Sequence, residues 1–199
     1  MKSAASAQTH ANINNDQPTY PKIDRGKMKR VAVIGNAGGG KSTMCRKISK
    51  AQDIPLFSID QILWKPGWKP APPDEVKKQH SHILQLDRWI IDGWGSFDLI
   101  EARFQAADTI IFVDQPLIIH YWWAIKRQFA CLFTPRSDGP EGCPMLPMTW
   151  PLLKMIWNIH HRLRPRLLSL VNSYSYLADK QVYHITNPKQ LHQFIVMYC

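Results

Sequence analysis

The chain has 199 residues, 45% of them apolar, and its 25 Lys and Arg outnumber 15 Asp and Glu to give a formal net charge of +10. That length and apolar share suit one domain with a sizeable core and exclude a chain disordered throughout. Cys45, Cys131, Cys143 and Cys199 lack Cys-x-x-Cys spacing, which excludes the common structural zinc frameworks and leaves reduced thiols as the expectation. The positive charge implies attraction to polyanions, whether nucleotide phosphate, nucleic acid or membrane surface, without choosing among them.

Residues 1–27 are rich in Ala, Ser, Asn, Gln and Pro without periodic hydrophobicity and read as a disordered extension. They lack the basic, apolar and small-residue order of a secretory signal, so a cytoplasmic location is expected for the domain at 28–199. Its first strand is predicted at 31–34. Directly after it, Gly35-Asn36-Ala37-Gly38-Gly39-Gly40-Lys41-Ser42 fits the pattern G-x-x-x-x-G-K-[ST]. A helix is predicted from Lys41, with Met44, Ile48 and Ala51 at i, i+4 and i+7. Strand, glycine-rich loop and helix in that order are the context the pattern requires.

Each residue type in this run has a separate physical purpose. Glycines let consecutive N–H groups converge on one concavity, and the helix that follows adds its unpaired first-turn N–H groups and positive dipole end. The run from Gly35 through Thr43 is therefore expected to cradle the phosphates of ATP. Lys41 should reach the β- and γ-phosphates, Ser42 should offer its hydroxyl to Mg²⁺, and Thr43 is placed for a further phosphate contact.

The second strand is predicted at 54–59 and delivers Asp60. An ionised phosphate acceptor needs no base, whereas an alcohol gains from a carboxylate placed to take its proton, so Asp60 points to a hydroxyl acceptor. An acid that holds a loop or contacts magnesium is the alternative. Residues 60–88 form the expected substrate-side segment, mobile at 61–72, where Trp64 and Trp68 either stack on a flat base or cap the core. A helix at 73–86 opens with Pro72-Pro73-Asp74-Glu75, which suits a first turn.

The third strand, 89–91, ends at Asp92, a candidate for ordering magnesium-bound water, with a turn role as the alternative. A helix at 97–106 carries Phe97, Ile100 and Phe104 as a stripe, and the fourth strand, 109–113, precedes Asp114. Continuous apolar runs of this kind suit a parallel sheet covered on both faces, and such sheets collect ligands beyond their carboxyl ends. Asp60, Asp92 and Asp114 should accordingly stand near the phosphate loop.

Residues 116–133 are very apolar, but His120, Lys126, Arg127 and Gln128 interrupt them. Each central Lys or Arg in a span costs about 2.5–3.5 kcal/mol, so a core helix with a basic end is expected. Residues 135–151 read as loop, 152–171 as a long helix kinked at Pro165, and 181–185 as the fifth strand. Positive charge gathers around the presumed lid at 126–150 and on the helix after it. Arginine's planar fork suits transferred phosphate, so Arg127 is the candidate catalytic cation and Arg136 and Arg164 are candidates for binding substrate. A solvated surface charge is the alternative for each one taken alone.

Taken together, the loop, Asp60, Trp64, Trp89-Ile90-Ile91-Asp92-Gly93, the run from Asp108 to Asp114, Arg127, Glu141-Gly142-Cys143-Pro144 and Arg164-Pro165 resemble the adenylate-kinase-like bacterial proteins often labelled DNA topology modulation proteins. The similarity runs from about Lys29 to the C-terminus. It implies an α/β fold of the three-layer P-loop NTPase kind, with a five-stranded parallel sheet covered by helices, and binding of ATP and Mg²⁺. Adenylate kinases usually continue the third strand with an Asp-Gly-Phe-Pro-Arg-like run, whereas here it reads Asp92-Gly93-Trp94-Gly95-Ser96, without the arginine that would clamp a monophosphate acceptor.

The expected activity is transfer of the ATP γ-phosphoryl group to a small acceptor, a nucleoside, nucleotide or related metabolite. Lys41, Asp60 and Arg127 are the catalytic candidates, Asp60, Trp64, Arg136 and Arg164 bind acceptor, and Ser42 and Asp92 attend the metal. A nucleic-acid-associated P-loop ATPase is the alternative; a membrane partner is not expected.

Overall fold

The computed structural model describes residues 28–132 and 139–199. The expected extension at 1–27 and Arg136 therefore lie outside the described residues. In chain order the elements are β1 (Arg30–Gly35), α1 (Lys41–Gln52), β2 (Leu56–Ser58), α2 (Ile59–Leu63), β3 (Trp64–Lys65), β4 (Lys69–Pro70), α3 (Pro73–Leu84), β5 (Trp89–Asp92), α4 (Phe97–Ala106), β6 (Thr109–Val113) and α5 (Leu117–Ala130). A 3₁₀ turn (Leu146–Met148), α6 (Thr149–Asn158), a π-helical segment (Ile159–Leu163), α7 (Arg164–Ser175), β7 (Gln181–Ile185) and α8 (Pro188–Tyr198) complete the described chain.

Five strands form one sheet in the order β2-β5-β1-β6-β7, and every pairing is parallel. The strands are apolar at nearly every position because side chains leave both faces into covering helices. Val31 and Val33 point to one core with Met44, Ile48 and Phe194, while Ala32 and Ile34 point to the other with Ile100, Phe104 and Leu167. Helices on both sides of a parallel sheet, with a glycine-rich loop leaving the central strand, make this the three-layer architecture of P-loop NTPases. Register then places the chemistry: Val33 pairs with Asp92 and Gly35 with Val113, so the loop, Asp92 and Asp114 leave the sheet at one edge. Among the described residues no helix is long and apolar enough to cross a membrane.

Some elements depart from expectation for identifiable reasons. The second strand is shorter than 54–59 because Ile59 already begins α2, although the Pro55 carbonyl still accepts from the Ile90 N–H at 2.8 Å. Residues 61–72 complete α2 and form the β3–β4 hairpin, with Gly67 and Trp68 at positive φ in its tip. The long helix starts at Thr149 and widens into the π segment before Pro165. Proline has no N–H for the preceding turn, and one wide turn accommodates the missing bond. α8 was not anticipated, although Asn187 caps it by accepting from the Gln190 N–H at 2.9 Å and Pro188 occupies its first turn.

Candidate functional site

The loop between β1 and α1 is packed so tightly that glycine is obligatory at its turning points. Gly38 has φ +67, and a Cβ there would stand 2.3 Å from the His120 carbonyl oxygen. Gly40, at φ +82, is the N-cap of α1 and would drive a side chain into Leu191 and Trp123. Two side chains brace the loop from behind. The Asn36 amide donates to the Ile156 carbonyl at 2.8 Å, while its oxygen accepts from the Ala37 N–H. His120 Nδ1 lies 2.8 Å from the Ala37 carbonyl. Burial, with Lys41 adding to it, pulls His120 down to about 4, so the ring is neutral at pH 7 and donates Nδ1–H.

Lys41 is buried, and its ammonium donates to the Asn36 carbonyl at 2.7 Å. Burial lowers its pKa, against the opposing charges of Asp92 and Asp60, and Arg127 lowers it further. One ammonium group therefore feels both strand-end acids and the arginine of α5. Ser42 Oγ donates to Asp92 Oδ2 at 2.6 Å, and Asp92 Oδ1 is buried with no hydrogen-bond partner. An orphaned carboxylate oxygen beside a loop serine fits a hydrated divalent cation, because magnesium takes one or two protein oxygens and keeps its waters. Among the described residues no group of three or more His, Cys, Asp or Glu could hold a metal ion.

Buried Arg103 supports the acid from behind. Its guanidinium donates to the carbonyls of Gly93 and Trp94, immediately after Asp92, and to that of Leu99. Burial lowers Arg103 to about 10, with Asp92 opposing. If Ser42 and Asp92 hold the cation, Asp92→Asn will raise the magnesium concentration needed for half-maximal turnover by about 10- to 100-fold while leaving the melting temperature nearly unchanged. A magnesium titration reads this, and an unshifted midpoint removes Asp92 from the metal.

A cavity of 690 Å³ opens over the loop. Gly35 and residues 37–43 line its floor, and Ser58, Asp60, Asp92 and Gly93 its sheet edge. Trp64, Trp68, Trp94, Trp123, Met145, Met148 and Met155 supply most of the wall, and Lys126 and Arg127 enter from α5. The predicted Asp60, Trp64, Asp92 and Arg127 thus meet around one space. Trp64 and Trp68 stand edge to face at 5.7 Å. The hairpin that carries them is tied to the loop at 142–144, where Gly67 N–H donates to the Gly142 carbonyl at 2.9 Å and the Trp68 indole to that of Pro144 at 2.8 Å. The Cys143 thiol donates to the Lys65 carbonyl and its sulfur accepts from the Trp68 N–H, so this cysteine serves as a loop tie. All four cysteines are free.

Arg164 is placed differently from the expectation that it binds substrate. It does not line the cavity; its fork grips Asp114, with Nε to Oδ1 at 2.7 Å and Nη2 to Oδ2 at 2.8 Å, and His184 Nε2 reaches Oδ2 at 2.9 Å. The reason is topological: α7 returns alongside β6 and β7, and a buried strand-end carboxylate requires partners there. Burial would raise the Asp114 pKa, but hydrogen bonds from His184 and Arg164 together hold it below its ordinary value. A carboxyl depressed on folding contributes stability above its unfolded pKa, about 3.9, and loses it as pH falls through the folded value. Arg164→Ala should therefore cost about 2 kcal/mol at neutral pH, with the gap to wild type full above about pH 4 and narrowing below it. Thermal melts across that range check both statements.

Sequence reasoning passed over the three groups that position the chemistry, His120, Arg103 and the side-chain role of Asn36. The available signal was weak: a lone histidine within an apolar helix, and an arginine within the apolar stripe of α4. Trp94, Trp123 and the methionines of the cavity wall were likewise not singled out.

No protein-family model matches the sequence, and no curated protein matches it. Among solved structures, a sugar kinase from Janibacter sp. shares 12% identity at a TM-score of 0.43, covering 86% of this chain and 94% of its own. A protein from Chloroflexus aurantiacus, named provisionally as a kinase, shares 12% identity at a TM-score of 0.46, covering 84% of this chain and 94% of its own.

Proposed function

We propose that the chain is an ATP-dependent phosphotransferase that moves the γ-phosphoryl group to a hydroxyl of a small acceptor. One observation carries the reading: the buried Lys41 ammonium and the Ser42–Asp92 pair lie at one side of a single cavity, and Asp60 lines the same space. Loop amides and Lys41 bind the β- and γ-phosphates. Ser42 and Asp92 would hold Mg²⁺, which supplies charge neutralisation when bound. Asp60 takes the acceptor's proton as its oxygen bonds to the γ-phosphorus, while the bond to the β–γ bridging oxygen breaks and ADP leaves. Arg127 meets the charge that develops on the transferring group.

The wall narrows the class of acceptor. Trp64, Trp68, Trp94, Met145 and Met148 line the cavity, and its cations come from α1, Lys41 and Arg46, and from α5, Lys126 and Arg127. Such a wall suits a flat or apolar body carrying a hydroxyl. The absence of an arginine from Asp92-Gly93-Trp94-Gly95-Ser96 points the same way.

The test is ADP release measured over matched pairs, nucleosides and aromatic alcohols against their monophosphates. Release stimulated by the uncharged member of a pair supports the reading. Stimulation by the phosphorylated member alone defeats the acceptor class, and hydrolysis stimulated only by DNA or RNA, falling steeply with salt, replaces the function with the nucleic-acid alternative.

A further inference from the structure

The largest apolar exposure among the described residues lies on the outer faces of α5 and α6. Ile118, Trp122, Ile125, Phe129 and Leu132, the last just past the helix end, recur at i, i+4, i+7, i+11 and i+14 as one stripe. Trp122 and Phe129 are each 63% exposed. A stripe of this spacing normally seats a helix on its core, but α5 already has an inner face, with His120, Ala124 and Gln128 buried. α6 repeats the pattern with Trp150 and Trp157, 65% and 55% exposed.

The two rows open to the same side. Tyr121 donates to the Leu153 carbonyl and Gln128 to that of Met145, so positions rise along α5 as they fall along its neighbour, and the helices run antiparallel. At about 100° per residue, the packed edge of α5 (Leu117, Tyr121) and that of α6 (Leu153, Ile156) each lie about a quarter-turn from the exposed row in the same rotational sense. Between antiparallel neighbours, that geometry turns both rows to one face.

Charge identifies what covers this face. Lys126 borders the α5 row, and Lys154 lies within the α6 row with its ammonium 5.5 Å from the Trp150 ring centroid. His161 packs on Trp157 at 4.0 Å. No Asp or Glu occurs in α5, α6, the π segment or α7. A second copy would set Lys126 and Lys154 against their like on a chain of net charge +10, whereas anionic headgroups would meet them. Residues 1–27 offer only Met1, Ile13, Tyr20 and Ile23 as large apolar side chains, too few to cover both rows. Tryptophan at the boundary between apolar and charged groups is the usual furniture of a membrane interface.

We infer that the α5–α6 face seats on the surface of an anionic lipid bilayer, lying in the interface without spanning it. The expectation of no membrane partner treated residues 116–133 as a core helix, which describes only one side of α5.

Cosedimentation of the full chain with vesicles of pure phosphatidylcholine, and of equal parts phosphatidylcholine and phosphatidylglycerol, tests the inference independently of catalysis. The chain should bind the anionic vesicles about tenfold more tightly, less so at high salt. Trp122→Gln combined with Trp157→Gln should keep the circular dichroism spectrum and nucleotide binding while weakening vesicle binding by about tenfold or more. Lys154→Glu should reduce the preference for anionic lipid. Absence of binding to either vesicle overturns the inference, as does binding that the double variant leaves unchanged. So does a dimer in ultracentrifugation that the double variant dissociates without any vesicle binding, which would assign the face to a second copy.

Discussion

Lys41→Ala is expected to lower phosphoryl transfer by about 10³-fold while leaving the fold intact. The ammonium is the positive group built into the floor of the cavity, buried and held 2.7 Å from the Asn36 carbonyl, so it meets the transferring group without reorganisation. Burial opposes its charge, and the residue stores a cost that the fold does not need. The variant should therefore melt no lower than wild type, the pattern of a side chain retained for chemistry at some expense of stability. Single-turnover transfer and a thermal melt on the same preparation give both readings. Turnover within tenfold of wild type would remove Lys41 from the reaction, and a collapsed melt would make it a structural residue.

Asp60→Asn is expected to separate the two halves of the reaction. Acceptor-dependent turnover should fall by about 10²- to 10⁴-fold, the range of a lost general base, while ATP affinity and acceptor-independent hydrolysis stay near wild type. Asparagine keeps the size of the side chain and its capacity to accept a hydrogen bond, so a carboxylate that merely holds the α2 turn would survive the exchange with little loss. A kcat deficit with KM for the acceptor preserved distinguishes proton transfer from positioning. Equal loss in hydrolysis and transfer would instead place Asp60 with the metal, beside Asp92.

Much of this site was legible along the chain because its signals are local. A glycine-rich loop between an apolar strand and a helix can do few other things, and Asp60 and Asp92 each follow a largely apolar run, so a parallel sheet had to bring them to the edge where the loop begins. Trp64 and Arg127 were reachable by the same logic, one just after the second strand and the other at the basic end of an apolar helix.

Arg164 shows where that logic stops. As a residue it fits a phosphate as well as a carboxylate, and only the return of α7 beside β6 and β7 puts Asp114 within its fork. His120 and Arg103 are similar cases, since their partners are backbone carbonyls at Ala37, Gly93 and Trp94 that no side-chain pattern announces. The β3–β4 hairpin and its ties to residues 142–144 join segments about 75 positions apart, beyond the reach of local propensity.

The amino-acid order by itself determined the five strands of the main sheet, the phosphate loop and the identity of the acids at the sheet edge, because backbone freedom at glycine and the two-faced burial of parallel strands act within a few residues. Only the tertiary structure decided which charges face the cavity and which neutralise one another, and that the other described residues leave the outer stripe of α5 uncovered. Those outcomes depend on electrostatic and packing partners brought together by helix crossovers, and a side chain carries no record of the neighbour it will meet.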